Sequence, residues 1–226
     1  MVQRQVDAVI EFQLDVNFGA AIMKNFDAAG VPVLAIDIPM PGAMFFGVNN
    51  PQSGYIGGTY LAQAAIAKFG QDTVLEKAYF VVGDLTQAGA VLGMRSEGQR
   101  YGIRSVLDLP DDRMITIDTT ASIEQAFSQM NSVLARIPPD APILITANND
   151  QSVIGMLRAV NASGRGDMVV GVGMGSDEVE TMVASPNMVG SVAFFPERYG
   201  NWLVPLSLAQ LAGQDLPEAL LISHVV

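Results

Sequence analysis

The chain contains no cysteine. Disulfides, thiolate nucleophiles and cysteine-bound zinc are therefore excluded, while both a cytoplasm and a bacterial periplasm remain compatible with the absence. Histidine is almost as scarce. His224 is the only one, so a catalytic triad has a single candidate base and a histidine metal cluster has none. Positive charge is short as well: Lys and Arg number 12 against 23 Asp and Glu, giving a formal net charge of -11 and a pI of ≈ 4.3. Nucleic acid requires a basic face, so it is not an expected partner. The acidity reads as solubility. No apolar run reaches the roughly 18 residues of a membrane helix, and no charged segment followed by an apolar one opens the sequence as a secretory signal would. Walker A, G-x-S-x-G and H-E-x-x-H patterns are also missing.

What is present is a long alternation of strand and helix signals. Over 226 residues, 50% are hydrophobic and 15% charged, enough to bury a sizeable core. Short apolar runs read as strands: Asp7–Phe12, Val31–Asp37, Met44–Val48, Ala78–Asp84, Arg113–Asp118, Pro142–Ala147, Met168–Gly173, Gly190–Phe195 and Ala219–Val226. Between them lie helical patterns. One starts near Asn17 and closes at Gly30. Another begins near Ser53 and ends at Gly70 as C-cap, and a third carries Val91, Met94 and Tyr101. Ser122 and Gln125 form a capping box, Asp150 is expected to cap the following helix, and Pro205 should kink the last one. Apolar strands alternating with helices predict parallel sheets covered on both faces.

In such sheets ligands bind beyond the C-terminal ends of the strands. Polar or aromatic residues occupy those ends here: Phe12 and Gln13, Asn49, Asp84, Asn148–Asn149–Asp150, and Phe194. Arg95 lies in the first turns of the helix after Asp84, beside the apolar Val91 and Met94. Asn, Asp and Arg can grip vicinal hydroxyls, which both donate and accept, and aromatic rings pack on sugar C–H faces. Taken singly, each Asn or Asp is equally well explained as a helix cap, and Arg95 as half of a surface ion pair. Gly171-Val-Gly173-Met-Gly175-Ser176 half matches a dinucleotide fingerprint, with Ser176 at the third glycine position and Glu197 about 20 residues on. A dinucleotide-binding enzyme is therefore a competing reading.

The combination of segments resembles the type I periplasmic solute-binding proteins of sugar ABC transporters. DAVIEFQLD and VPVLAIDIPMPGAMFFGVNNPQSGYIGG resemble that family's third to fifth strands. GMRSEGQRYGI resembles its R-x-x-G helix and ILITANNDQSVIGMLRAV its N-D segment. VVGVGMGSDEVETM resembles the next strand, and GSVAFFPERYG the return crossing. The resemblance covers nearly the whole chain and implies a two-lobed periplasmic-binding-protein-like α/β fold. It groups residues 1–70 with 195–218 in a first lobe, and 71–194 with 219–226 in a second. The family's first two strand–helix units have no counterpart, so the first lobe is expected to be incomplete and prone to self-association. The resemblance implies ligand contacts at Asn49, Arg95, Asn149 and Phe194, with Gly173 standing where many relatives hold ligand with an Asp. With Phe12, Gln13 and Asp84 from the strand ends, these form the expected substrate site. The implied function is binding a monosaccharide or polyol and presenting it to a membrane permease, with no catalysis and no cofactor. The implied location is periplasmic or extracellular, with or without a lipid anchor. The alternative is the ligand-sensing domain of a lac-repressor-type regulator.

Overall fold

Two parallel sheets organise the protein in a computed structural model that describes residues 5–222. The first sheet has the order β1-β2-β3-β9, with β1 at Val9–Glu11, β2 at Val33–Ile36, β3 at Met44–Val48 and β9 at Ala219–Ile222. The second has the order β5-β4-β6-β7-β8. Its strands are β4 Tyr79–Asp84, β5 Met114–Asp118, β6 Ile143–Ala147, β7 Val169–Gly175 and β8 Met188–Ala193. All registers are parallel. Consecutive parallel strands need a crossover, and helices supply most of them. In chain order these are α1 Gly19–Ala29, α2 Asn50–Phe69, α3 Gln71–Lys77, α4 Ala90–Arg104, α5 Ile123–Leu134, α6 Asp150–Ala162, α7 Val179–Ala184 and α8 Gly200–Leu211.

The strands read from apolar runs are all present with shifted ends: most are trimmed, β7 extends to Gly175, β8 starts two residues earlier at Met188, and β3 lies at its expected residues. Residues 223–226 of the last expected strand lie outside the described residues, as does His224. Helix α2 starts earlier than expected, at Asn50, because Asn49 caps it and Pro51 occupies a first-turn position, where a missing N–H costs nothing. Ser122 caps α5 by accepting from the Gln125 N–H, as its spacing predicts. The cap of α6 is Asn149, not Asp150: the Asn149 side chain accepts from the Ser152 N–H, and Asp150 is the first helical residue. Helix α3 has no counterpart in the sequence reading. Helix α8 runs across Pro205.

The chain crosses between the sheets after β3 and again after β8. Two groupings differ from expectation. The α2 helix belongs to the second sheet: Leu61, Ala62 and Ala65 are fully buried against Phe80, Val82, Leu144 and Val170. The described part of the terminal segment, Ala219–Ile222, pairs with β3 in the first sheet, from Phe45 opposite Ala219 to Val48 opposite Ile222. Its inward Ile222 joins Phe46, Val48, Tyr199 and Leu203 in one apolar cluster, which fixes its place.

α2 lies unusually close to α4. Any side-chain carbon at Gly54 or Gly58 would collide with the carbonyls of Arg95 and Gln99, and one at Gly98 or Gly102 with those of Pro51 and Tyr55. Glycine is required at these positions because backbone meets backbone. The second sheet's other face is filled by Ile145, Met130, Val153, Met156 and Val160, all fully buried.

Candidate ligand-binding site

Strand ends of both sheets converge on a cavity of about 220 Å³. From the first sheet come Phe12 and Leu14 beyond β1, and Asp37 and Ile38 beyond β2. From the second come Leu85, Leu92, Arg95, Asn148, Asn149, Gln151, Met174 and Asp177, with Phe194 beyond β8. The volume lies below the roughly 300–1,000 Å³ of pockets for drug-sized molecules, so it suits a smaller ligand.

Arg95 is the centre of this site. It is only 6% exposed. Its Nε donates to Asn50 Oδ1 at 3.0 Å and its Nη1 to the Asn148 carbonyl at 2.6 Å. Its guanidinium sits 4.7 Å from the centre of the Phe194 ring, a favourable placement for a cation. Nη2 has no hydrogen-bond partner among the described residues. Burial lowers the guanidinium pKa to about 10, opposed by Asp37 and Tyr199. Its carbonyl scaffold is built in turn by Asp84. That carboxylate accepts from the Leu85 N–H at 2.8 Å, Ser96 Oγ at 2.9 Å and Asn148 Nδ2 at 2.7 Å. Asp84 thus clamps the ends of β4 and β6 to α4 and stands behind the cavity wall.

Asp37 faces Arg95's side of the cavity from the first sheet. Its backbone is left-handed, φ 57°, which Asp tolerates better than most residues. Gly47 makes room for it, since a Cβ there would stand 2.9 Å from Asp37 Oδ1. That Oδ1 is buried and has no hydrogen-bond partner. Burial raises the Asp37 pKa; Arg95 and the Val48 amide pull it back, and Asp177 pushes it further up. The Asp177 carboxyl is also raised, chiefly by burial and then by Asp150, Glu178 and Glu197. Tyr199, packed edge-on against Phe46 at 5.1 Å, is pushed up by burial and then by Asp37. Asp37 was not among the sequence candidates. It follows a strand at a C-terminal end, as the others do, and stands before the proline-rich segment Pro39-Met-Pro41-Gly42.

Of the sequence candidates, Phe12, Arg95, Asn149 and Phe194 come together around the cavity. Phe12 is 54% exposed at its rim. Asn149 lines it while also capping α6 and donating to the Ala121 carbonyl at 3.0 Å. Four candidates stand elsewhere. Gln13 turns its amide toward Gly19, and both of its polar side-chain atoms are buried without partners. Asp84 is the clamp just described. Gly173 is buried in β7 and is glycine because the Asp150 carboxylate occupies the space a Cβ would need. Asp150 there accepts from Ser191 Oγ at 2.7 Å and from the Asp177 N–H at 2.9 Å. Asn49 points away from the cavity.

Asn49 instead lines an outer groove of about 980 Å³ between α2 and α4, with Tyr55, Met94, Arg100, Tyr101 and Arg104. This groove is larger, but its charges are satisfied on the surface: Arg104 pairs with Asp111, and Arg100 lies 3.9 Å from Glu97. The smaller cavity is lined by the buried Arg95 and by Asp37, whose Oδ1 has no hydrogen-bond partner, and buried ionisable groups in a cleft mark a candidate site. The glycines of β7 fill packing roles. Gly171 faces Val153 and Leu157, and the helix after the strand, α7, has only 6 residues. Nothing there forms a phosphate cradle at the start of a long helix, as a dinucleotide site would need. Among the described residues no group of three or more His, Asp or Glu side chains could hold a metal ion.

Two α/β sheets joined by chain crossings, with strand ends meeting at one cavity, define a bilobal binding-protein architecture. The sequence pattern of the periplasmic binding protein domain matches residues 1–215, and the chain belongs to that family. Solved structures agree in fold. An ABC transporter periplasmic solute-binding protein from Actinobacillus succinogenes with bound D-allose superposes with a TM-score of 0.81 at 19% identity, covering 100% of this chain and 79% of that one. A Bacillus halodurans solute-binding protein with bound myo-inositol gives 0.78 at 20%, covering 99% and 75%. An ABC sugar transporter subunit from Rhodobacter sphaeroides gives 0.72 at 23%, covering 99% and 78%. No curated protein matches by sequence.

Proposed function

We propose that the protein is the solute-binding component of an ABC transporter. It takes a monosaccharide or small polyol into the cavity between two lobes and presents the closed form to a membrane permease, in the periplasm or outside the cell. The observation that carries this reading is the pair Asp37 and Arg95. The Asp37 carboxyl from one sheet and the Arg95 guanidinium from the other line the same cavity, and Arg95 Nη2 has no hydrogen-bond partner among the described residues. Neighbouring hydroxyls satisfy both at once, one donating to Asp37 and the other accepting from Arg95 Nη2. A ligand so held ties the two sheets together, which is how binding favours a closed state. Phe12, Leu92 and Met174 supply apolar surface for C–H faces. The D-allose and myo-inositol bound in two structural neighbours support the same ligand class.

A thermal-shift panel of pentoses, hexoses, polyols, nucleosides and amino acids tests it. At about 100 times the dissociation constant, ligand adds roughly 2.7 kcal/mol, a rise on the order of 5–10 °C for a chain of this size. The largest rise is expected among sugars or polyols. A largest rise with an amino acid or a nicotinamide nucleotide would refute the reading.

A further inference from the structure

The cavity's free polar groups are mostly acceptors, which is the reverse of what two asparagines and an arginine suggest. Asn148 spends Oδ1 on Ser96 and Nδ2 on Asp84. Asn149 spends Oδ1 on the Ser152 N–H and Nδ2 on the Ala121 carbonyl. Gln151, which also lines the cavity, spends its Nε2 on Glu178 and keeps only the acceptor Oε1. Arg95 has committed Nε and Nη1, and its ring contact with Phe194 offsets part of its charge. Against the one remaining guanidinium nitrogen stand the carboxylates of Asp37 and Asp177. Neither carboxylate accepts a hydrogen bond from another residue's side chain among the described residues, and Asp37 Oδ1 is buried. The lining carries one positive charge and two negative.

A complementary ligand is rich in donors and not anionic. Each hydroxyl offers one donor, while an ammonium offers three and makes charge-assisted bonds roughly twice as strong. We propose that the ligand is an amine-bearing sugar or cyclitol, its ammonium on the side of Asp37 and Asp177 and its hydroxyls toward Arg95. This rests on the sugar reading above and narrows it. Burial raises both carboxyls, and a cation beside them offsets that cost. Sugar acids and sugar phosphates meet the opposite situation and are excluded.

Calorimetric titration of the purified protein tests the proposal. The probes are glucose, galactose and mannose, each beside its 2-amino-2-deoxy form and its N-acetylated form, with glucuronate as the anionic control and myo-inositol beside an aminocyclitol. At least one amine is expected to bind tenfold or more tightly than its neutral parent and its N-acetylated form, with no binding of glucuronate. Asp37→Asn and Asp177→Asn should each shrink that preference toward unity. Asp177 is exposed as a residue although its carboxyl is partly desolvated, so its variant reads selectivity even if Asp37→Asn folds poorly. Neutral sugars or polyols that bind as well as every amine would overturn this inference and leave the sugar reading standing. Binding of none of the sugars and polyols would remove both.

Discussion

Replacing Arg95 by Met separates the residue's two roles. The side chain keeps its length and apolar stem but loses its charge and its donors. Removing the charge relieves a burial cost: a guanidinium displaced from 12.5 to about 10 corresponds to roughly 3 kcal/mol. Against this, the bonds to Asn50 Oδ1 and the Asn148 carbonyl disappear. Bonds to a charged group are worth about 1.5–3 kcal/mol each, and both acceptors are left in a buried setting. The two effects nearly cancel, leaving a net loss on the order of 2 kcal/mol, or a melting point about 4–8 °C lower. Binding has no such compensation. Loss of the one free guanidinium nitrogen should weaken sugar affinity by about tenfold to a hundredfold. Arg95→Lys keeps a charge but cannot reach three partners from one planar fork, so it too should bind weakly. Melting curves and calorimetry on the same preparations give both quantities. Affinity within threefold of the unaltered protein in Arg95→Met would show that the cavity is not the ligand site.

The other expectations can be stated briefly. Asp37 has a carboxyl raised above 3.8, so the folded state holds its proton more tightly than the unfolded one, and stability is lost as pH rises through the raised value. Asp37→Asn should therefore melt higher than the unaltered protein at pH 7, and the gap should close as pH falls toward 3.8; an equal gap at both pH values would contradict the burial argument. Gly173→Ala forces a methyl onto the Asp150 carboxylate, and overpacking of this kind costs about 1–3 kcal/mol, to be read as a lower denaturation midpoint. Leu61→Ala empties a fully buried position between α2 and the second sheet and should cost about 2–5 kcal/mol in the same assay.

The strands were legible in the sequence because parallel strands buried on both faces are short unbroken apolar runs. ILITA, for instance, forms β6 with every residue buried. The C-terminal rule for α/β sheets pointed to residues of which Phe12, Asn149 and Phe194, with Arg95 from α4, line one cavity. What the one-dimensional pattern could not carry was partner choice. Ala219–Ile222 is an apolar strand in either sheet, and only the facing Phe46 and Tyr199 decide which. Asn49 and Asn50 are adjacent amides at one strand end. The helix they begin rotates the first outward as cap and the second inward onto Arg95. Gly173 was read for a missing carboxylate, whereas its meaning lies in the neighbouring Asp150 that fills the gap. Asp37 is an isolated acid before a proline-rich loop. Its importance depends on burial and on an unmade hydrogen bond, and neither leaves a trace in spacing.

The glycines of α2 and α4 connect the fold to the site. Gly54 lets α2 approach the carbonyl of Arg95 itself, and Gly98 lets α4 approach the carbonyl of Pro51. Asn50, at the start of α2 and directly after β3, is thereby brought within 3.0 Å of Arg95 Nε. The cavity-lining guanidinium is thus fixed near the point where the chain leaves the first sheet, and Asp37 comes to the same cavity from β2 through the space left by Gly47. A substitution at Gly54 should therefore act on both stability and binding. Alanine there pushes α4 away by its backbone, lengthens the Asn50–Arg95 bond, and moves Nη2 relative to Asp37 while removing no ligand contact. Misplacement of about 1 Å is enough to weaken a preorganised site. Gly54→Ala should lower sugar affinity by more than its loss of stability accounts for, whereas Leu61→Ala, farther along the same helix, should lower stability alone.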